Sequence, residues 1–475
     1  MKFSLREICV AVGGILYGRI SADTHVKAVS IDSREDLANK LFIPITGLVF
    51  DGHNYVKEAV SKGAVCALTE KTSKMESVPV IKVSSTRQAL LDLANYDRAR
   101  FKGPVVAITG SVGKTTTKEM IASVLSQKYN TLKTQGNFNN DIGLPLTLLS
   151  REECHEAMVL EMGMNHLGEI RVLSKIGKPD ICLITNIGDA HIENLGSREG
   201  ILQAKSEIFE GMAKGGTVIL NGDDPLLSAL PKVSHAKKTI YCYISCESEK
   251  TSRFKENKVY AENIRLLGLK GTYCDIVWHM EGIADTASSI EIYIPLPGKH
   301  MIMNALMSFA LGLELGLTSK EIAEGIKDFA PTGDRMAITK AGVITIINDA
   351  YNASPYAMKA AVDMLSSADG RKVCIFGDMF ELGSCAKSLH KEVGQYMAEK
   401  KMDLLIAIGL LSKHMYEAFL DYKSPTKQQA LYFKTKEEFL AQWRNHLQPG
   451  DTVLIKASRR MALEVIAKEI ILNPL

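Results

Sequence analysis

The chain has no apolar run long enough to span a bilayer, no low-complexity tract, no fixed-period repeat and almost no net charge. The first absence excludes a transmembrane helix. A balance of 57 Lys+Arg against 54 Asp+Glu leaves a formal charge of +3, with no field that would argue for nucleic acid or anionic lipid as a partner. The nine cysteines are scattered, and Cys242-x-x-x-Cys246 lacks a second Cys/His pair to complete a zinc site. Free thiols in a reducing cytosol are therefore expected. Arg6 and Glu7 break the apolar stretch within Met1 to Gly18, which reads as a short amphipathic helix and not as a secretion signal. At 475 residues the chain exceeds one hydrophobic core, so two or three domains are expected.

What is present is a phosphate-binding pattern. Ile108-Thr109-Gly110-Ser111-Val112-Gly113-Lys114-Thr115-Thr116-Thr117 follows a strand-like segment, Pro104 to Ile108, and opens a helical one, Lys114 to Lys128. Glycines let successive N–H groups turn toward an anion, the helix start adds its positive dipole end, and Lys114 adds a point charge. Thr115 can offer a hydroxyl to a phosphate-bound Mg²⁺. Ile108 stands where a full Walker A loop has its first glycine. The competing account, a Gly-rich turn capping a core helix, fits the order strand, loop, Gly-Lys-Thr, helix less well. The chain is expected to bind a nucleoside triphosphate.

Three blocks separate by pattern: 1–98, 99–330 and 331–475. The first mixes short strands (Cys66 to Thr69, Val78 to Val83) with the helix Thr86 to Arg98. The second carries the phosphate loop, strands at Ala157 to Leu160, Ile181 to Thr185 and Thr217 to Leu220, and a smaller β-rich part (Ile264 to Met280, Ile290 to Ile294). Two helices, Ile302 to Leu315 and Ser319 to Phe329, close it, the second opened by a capping box of Thr318 and Glu321. Pro331-Thr332-Gly333-Asp334 reads as a linker. The third block alternates strands (Val343 to Ile347, Val373 to Phe376, Leu404 to Ile408, Leu431 to Phe433, Val453 to Ile455) with helices, and Thr435 with Glu438 gives another capping box. The fold class is α/β, with a central, mostly parallel P-loop sheet and a Rossmann-like C-terminal domain lacking a G-x-G-x-x-G turn.

Polar residues cluster at strand ends. Glu161 follows Ala157 to Leu160, where a doubly wound sheet presents a metal ligand, although a solvated acid would also fit. His191 follows the next strand; alone it reads as a structural histidine. Lys205, on the helix Arg198 to Phe209, reads from pattern as a surface lysine. The run Gly136-Asn137-Phe138-Asn139-Asn140-Asp141-Ile142-Gly143 is either an Asx-type loop or a set of amide contacts to substrate or phosphate. Asn348-Asp349-Ala350-Tyr351-Asn352-Ala353-Ser354-Pro355 reads as a helix cap, a role that needs only some of its polar residues.

Taken in this order, the motifs resemble those of the Mur ligases, the ATP-dependent amide-forming enzymes of peptidoglycan assembly. Thr109-Gly110-Ser111-Val112-Gly113-Lys114-Thr115-Thr116 is similar to that family's phosphate loop. The segments 137–143, 161–170, 349–355 and 377–383 resemble the branch that adds D-alanyl-D-alanine to UDP-N-acetylmuramoyl-tripeptide through an acyl phosphate. The resemblance implies three α/β domains: one for the UDP sugar, one for ATP, one bringing the amine. It implies UDP-sugar contacts from Ser30, Asp32, Ser33 and Arg34 and from Asp51, Gly52 and His53, with Asn139 and Asn140 at the substrate. It implies Lys114 and Thr115 on phosphate and Mg²⁺, and Glu161, His191 and a carbamylated Lys205 as further metal ligands. Asn304 would contact adenine, Arg335 the γ-phosphate, and Asp349, Tyr351 and Asn352 the nucleotide edge. Lys456 and Ser458 would lie at the substrate. Three positions depart from the family pattern: Met301 for asparagine, Asp334 for glycine and Ala457 for glycine. A cytoplasmic monomer is expected. The rival readings are another Mur-type or folylpolyglutamate-type ligase and, from a different class, a P-loop ATPase switch that needs no amine acceptor.

Overall fold

The computed structural model describes residues 3–47, 49–71, 78–244, 257–283, 288–331, 335–423 and 427–475. Cys246 and the Thr332-Gly333-Asp334 turn lie outside the described residues.

The apolar runs become parallel strands buried on both faces, which is why they show no alternation. In Val105–Thr109, Val106 and Ile108 join one core, with Met120 and Ile121 from the helix Lys114–Leu125 and Leu306 from Lys299–Glu314. Val105 and Ala107 face the opposite core, with Leu90 and Leu93 of the helix Thr86–Arg100 and Leu173 of Glu169–Gly177. Among the described residues this central sheet has nine strands. Their order is Ser289–Ile294, Thr272–His279, Lys258–Leu266, Lys238–Tyr243, Thr217–Asn221, Ile181–Ile184, Val105–Thr109, Ala157–Glu161 and Thr131–Lys133. The first two are antiparallel additions at one edge and the rest run parallel. The β-rich part is thus a continuation of the central sheet, not a separate unit.

A five-stranded sheet precedes it, in the order Ile15–Tyr17, Val80–Lys82, Cys66–Thr69, Lys40–Phe42, Ala28–Ser30. A six-stranded sheet follows, in the order Ala337–Ala341, Ile344–Asn348, Asp451–Lys456, Arg371–Gly377, Leu404–Ile408, Gln429–Phe433, parallel except for its first strand. The helix Thr86–Arg100 binds the first sheet to the central one: the Arg98 guanidinium donates to the carbonyls of Gly177 and Lys178, each at 2.7 Å. Among the described residues, no helix is long and apolar enough to cross a membrane.

Several local expectations change. The N-terminal helix covers only Leu5–Val12, because Gly13 enters the left-handed region (φ 60°) and Ile15–Tyr17 pairs with Val80–Lys82. The helix bearing Lys205 ends at Ser206 and continues as a 3₁₀ turn, Glu207–Gly211. The Thr318–Glu321 capping box forms in full. At Thr435 only half of one forms: the Thr435 hydroxyl accepts from Glu438 N–H, but the Glu438 carboxylate takes the Lys434 N–H instead of that of Thr435.

The register places the site. Glu161 lies opposite Ile108, and Ile184 opposite Thr109, so the glycine loop, Glu161 and the segment 185–191 leave the sheet side by side at its carboxyl end.

Candidate active site

The phosphate loop is clamped to its neighbour. Gly110 (φ 152°) and Gly113 (φ 86°) turn the chain, and a Cβ on Gly110 would run into the Thr185 hydroxyl. Ser111 N–H donates to Asn186 O (3.1 Å) and Val112 N–H to Asn186 Oδ1 (2.9 Å). Thr185 Oγ1 donates to Val112 O (2.6 Å), and Gly188 N–H to Ser111 Oγ (2.8 Å). No side chain caps the helix that starts at Lys114, which leaves its first-turn N–H groups and dipole for an anion. Lys114 Nζ arches back to Gly110 O (2.8 Å). Burial lowers its pKa, opposed by Glu161 and reinforced by Arg335. Thr109 Oγ1, beneath the loop, is buried with no hydrogen-bond partner among the described residues.

Glu161 is almost fully buried and accepts from the Thr115 hydroxyl at 2.9 Å and from Asn139 Nδ2 at 2.9 Å. Lys118, which sequence reasoning missed, is wholly buried one helical turn after Lys114. Its ammonium donates to Thr134 O (2.6 Å) and lies 2.9 Å from Glu119 Oε1 and 3.9 Å from Glu161 Oε2. No sequence signal marked it, although the structure shows the helix around it buried on nearly every side.

Lys205 is 2% exposed, which corrects the surface reading that its pattern suggested. Burial drives its pKa well below the ordinary lysine value, and Lys114 nearby adds to this. Among the described residues its Nζ has no hydrogen-bond or ion-pair partner. His191 (φ 64°) sits in a left-handed conformation that costs a non-glycine residue about 1–2 kcal/mol. Its Nδ1 lies 2.8 Å from Glu381 Oε2, on the C-terminal sheet's side, and Glu381 is itself left-handed (φ 63°).

Across a narrow gap from Thr115 and Thr116 stands Arg335. Its guanidinium lies 3.8 Å over the Tyr351 ring. Asp349 Oδ1 accepts from Met336 N–H (3.3 Å), and Lys456 Nζ reaches Asp349 Oδ2 (2.5 Å) and Asn352 O (3.0 Å). Ser458 Oγ accepts from Phe380 N–H at 2.9 Å. Asn304 is buried, its Oδ1 accepting from Thr117 Oγ1 (3.1 Å) and its Nδ2 donating to the thioether Sδ of Met301 (3.6 Å). Ala457 packs on Gly377, whose lack of a side chain leaves it room.

The first-sheet residues form two turns, one directly after Ala28–Ser30 and one between Lys40–Phe42 and Cys66–Thr69. Ser30 Oγ donates to Glu35 (2.9 Å), and Lys62 holds Ser33 O (3.0 Å). Asp32 pairs with Arg34 (2.6 Å), whose hydrogen bond holds the carboxyl down at about 2. Asp51 accepts from His53 N–H (3.0 Å), the main cause of its lowered pKa, and Gly52 packs against the Ile45 backbone. Asn140 caps its own loop, accepting from Gly143 N–H (2.8 Å). The structure thus brings Thr115, Glu161 and Asn139 together, and Asp349, Asn352 and Lys456 together. It sets His191 against Glu381.

The donor chemistry suits Mg²⁺ only in part from unmodified side chains. Among the described residues no three His, Cys, Asp or Glu side chains converge. Thr115 and Glu161 offer hard oxygens beside the phosphate loop, and a neutral Lys205 amine is the form that CO₂ converts to an anionic oxygen donor.

Residues 25–98 match the Mur ligase family catalytic domain, 108–312 the Mur ligase middle domain and 334–459 the Mur ligase glutamate ligase domain. The chain belongs to the Mur ligase family. The UDP-N-acetylmuramoyl-tripeptide–D-alanyl-D-alanine ligase of Bacillus subtilis (strain 168) is 37% identical, covering 100% of both chains. That of Escherichia coli (strain K12) is 32% identical over 98% of each. Among solved structures, MurF from Acinetobacter baumannii superposes with a TM-score of 0.88 at 30% identity, over 100% of this chain and 99% of that one. MurF ligase from Thermotoga maritima in complex with ADP gives 0.79 at 26% identity, over 94% and 98%. In this Mur ligase the three matched segments follow the three sheets in order.

Proposed function

We propose that this Mur ligase joins D-alanyl-D-alanine to UDP-N-acetylmuramoyl-tripeptide, with ATP converted to ADP and phosphate, in peptidoglycan precursor synthesis. The observation that carries the reading is the Thr115–Glu161 contact at an uncapped helix start, with Lys114 on one side and Arg335 across the gap. Full-length likeness to the Bacillus subtilis and Escherichia coli ligases supports the choice of substrates.

In the first step a terminal carboxylate oxygen of the tripeptide takes the γ-phosphoryl group, and the bond to ADP breaks. In the second the dipeptide amine attacks the acyl carbon; the C–N bond forms, phosphate leaves and the amine proton is lost. We assign the first-turn N–H groups, Thr109 to Thr116 and the Lys114 ammonium to the phosphates, and Arg335 to the γ-phosphate, since positioning and charge neutralisation supply most of this catalysis. Asp349, Tyr351, Asn352 and Asn304 line the nucleotide's other contacts. Mg²⁺, when bound, neutralises phosphate charge, and we assign to it Thr115, Glu161, His191 and Lys205 as a carbamate. Ser30, Asp32, Ser33, Arg34, Asp51, Gly52 and His53 are assigned to the UDP sugar, and Asn139, Asn140, Lys456 and Ser458 to the reacting substrates. Acyl phosphates hydrolyse readily, so the C-terminal part must close over the site to exclude water.

The functional units we assign are 1–98, 99–330 and 331–475, with the helix Thr86–Arg100 overrunning the first boundary. The eight described cysteines are all free, which suits a cytoplasmic enzyme. The test is mass spectrometry of the product from UDP-N-acetylmuramoyl-tripeptide, ATP and a panel of amines. Product with D-alanyl-D-alanine alone supports the reading; ATP turnover without any amine acceptor would replace it with a nucleotide switch.

A further inference from the structure

The three arginines around the C-terminal side of the cleft differ in what holds them. Arg335 and Arg459 both lie over Tyr351, at 3.8 and 5.4 Å, and Arg459 also pairs with Glu464 at 3.2 Å. Arg460 is exposed and lies 4.6 Å over the Phe380 ring, and among the described residues no carboxylate oxygen is within ion-pair distance of it. The ring beneath it is fixed from both sides. Phe380 N–H donates to Ser458 Oγ (2.9 Å) and Ser458 N–H to Asp378 O (3.0 Å), which ties the segment 378–381 to 456–460. The next residue, Glu381, touches His191 at 2.8 Å.

A cation, an apolar ring and an anion are therefore neighbours where the C-terminal part meets the segment of the central sheet that carries His191. A guanidinium parked on an aromatic face keeps its N–H edge free and oriented for a carboxylate, which it can grip bidentately. A single anion would meet Glu381 as well as Arg460. A short zwitterion meets each with the opposite charge.

We propose that Arg460 and Phe380 form the subsite for the incoming dipeptide. Arg460 takes its terminal carboxylate, Phe380 walls its methyl groups, and its amino end points toward Glu381 and His191. This rests on the proposed ligation of D-alanyl-D-alanine.

The test is steady-state kinetics of the wild type and of Arg460→Gln with D-alanyl-D-alanine and with its C-terminal amide, following phosphate release and product mass. Loss of one charge-assisted contact should raise KM for the dipeptide roughly 10- to 100-fold, with KM for ATP and for the UDP-tripeptide unchanged within about twofold. The wild type should show a similar handicap with the amide, and Arg460→Gln should add nothing further to it. Arg460→Lys, which keeps the charge but loses the fork, should fall between. Equal losses on acid and amide, or a parallel rise in KM for ATP, would overturn the subsite. If Arg460→Gln fails to fold, the wild-type comparison decides: an amide as good as the acid overturns it. Absence of any dipeptide product from the wild type would overturn the ligation itself, and the subsite with it.

Discussion

Lys118 Nζ lies 3.9 Å from Glu161 Oε2 while donating to Thr134 O at 2.6 Å, so the carboxylate beside the phosphate loop shares its interior with a fully buried ammonium. Lys118 also touches Glu119, which pairs with Lys133 at 2.5 Å. Removing the ammonium leaves Glu161 and part of Glu119 buried without their cation. Lys118→Met should cost about 3 kcal/mol or more in urea titration, because a broken buried pair leaves an uncompensated charge. A change within about 0.5 kcal/mol would mean that the contact contributes nothing to stability.

Among the described residues Lys205 has no partner to keep its charge, and burial favours the neutral amine. A carbamate should therefore form on it. In buffer with carbon-13 bicarbonate, NMR should show one carbamate carbon that Lys205→Ala removes. Lys205→Ala should also lose ligation and regain part of it with added short carboxylates. Wild-type activity in Lys205→Ala without rescue would remove the residue from the metal site.

His300 has its imidazole pKa pushed down to about 4, chiefly by burial, with Asp349 opposing and Lys456 reinforcing. From 6.5, its ordinary value, down to about 4, the unfolded chain takes up a proton that the folded chain refuses. Stability should fall as pH falls through that window, by at most about 3 kcal/mol, and the contribution should level off below it. Denaturation of His300→Gln across the same pH range should show a shallower acid slope; an identical slope would place the proton uptake elsewhere.

Tyr351 supports Arg335 from 3.8 Å. Tyr351→Leu removes the aromatic face and should raise KM for ATP roughly tenfold, the scale of a desolvated cation–π contact, while KM for the UDP-tripeptide stays put. Equal effects on both would mean general disorder of the C-terminal part.

The phosphate loop, Glu161 and most strands were legible because a buried parallel sheet leaves apolar runs and its carboxyl ends follow directly in the chain. Leu404–Ile408 and Cys66–Thr69 emerged with the bounds expected. Lys118 and Lys205 were not legible from pattern, since a lysine on a helix looks the same whether it faces water or a packed interior. The His191–Glu381 contact was hidden for another reason: it joins residues from two sheets, and only the placement of one against the other creates it. The β-rich part was found as strands but not as an edge of the central sheet, because antiparallel pairing at 258–294 depends on register that composition does not carry.

The most direct test follows one oxygen atom. With oxygen-18 in the terminal carboxylate of UDP-N-acetylmuramoyl-tripeptide, ligation through an acyl phosphate should deliver one labelled oxygen to the released inorganic phosphate, read by mass spectrometry. Unlabelled phosphate accompanying full amide formation would contradict phosphoryl transfer to that carboxylate.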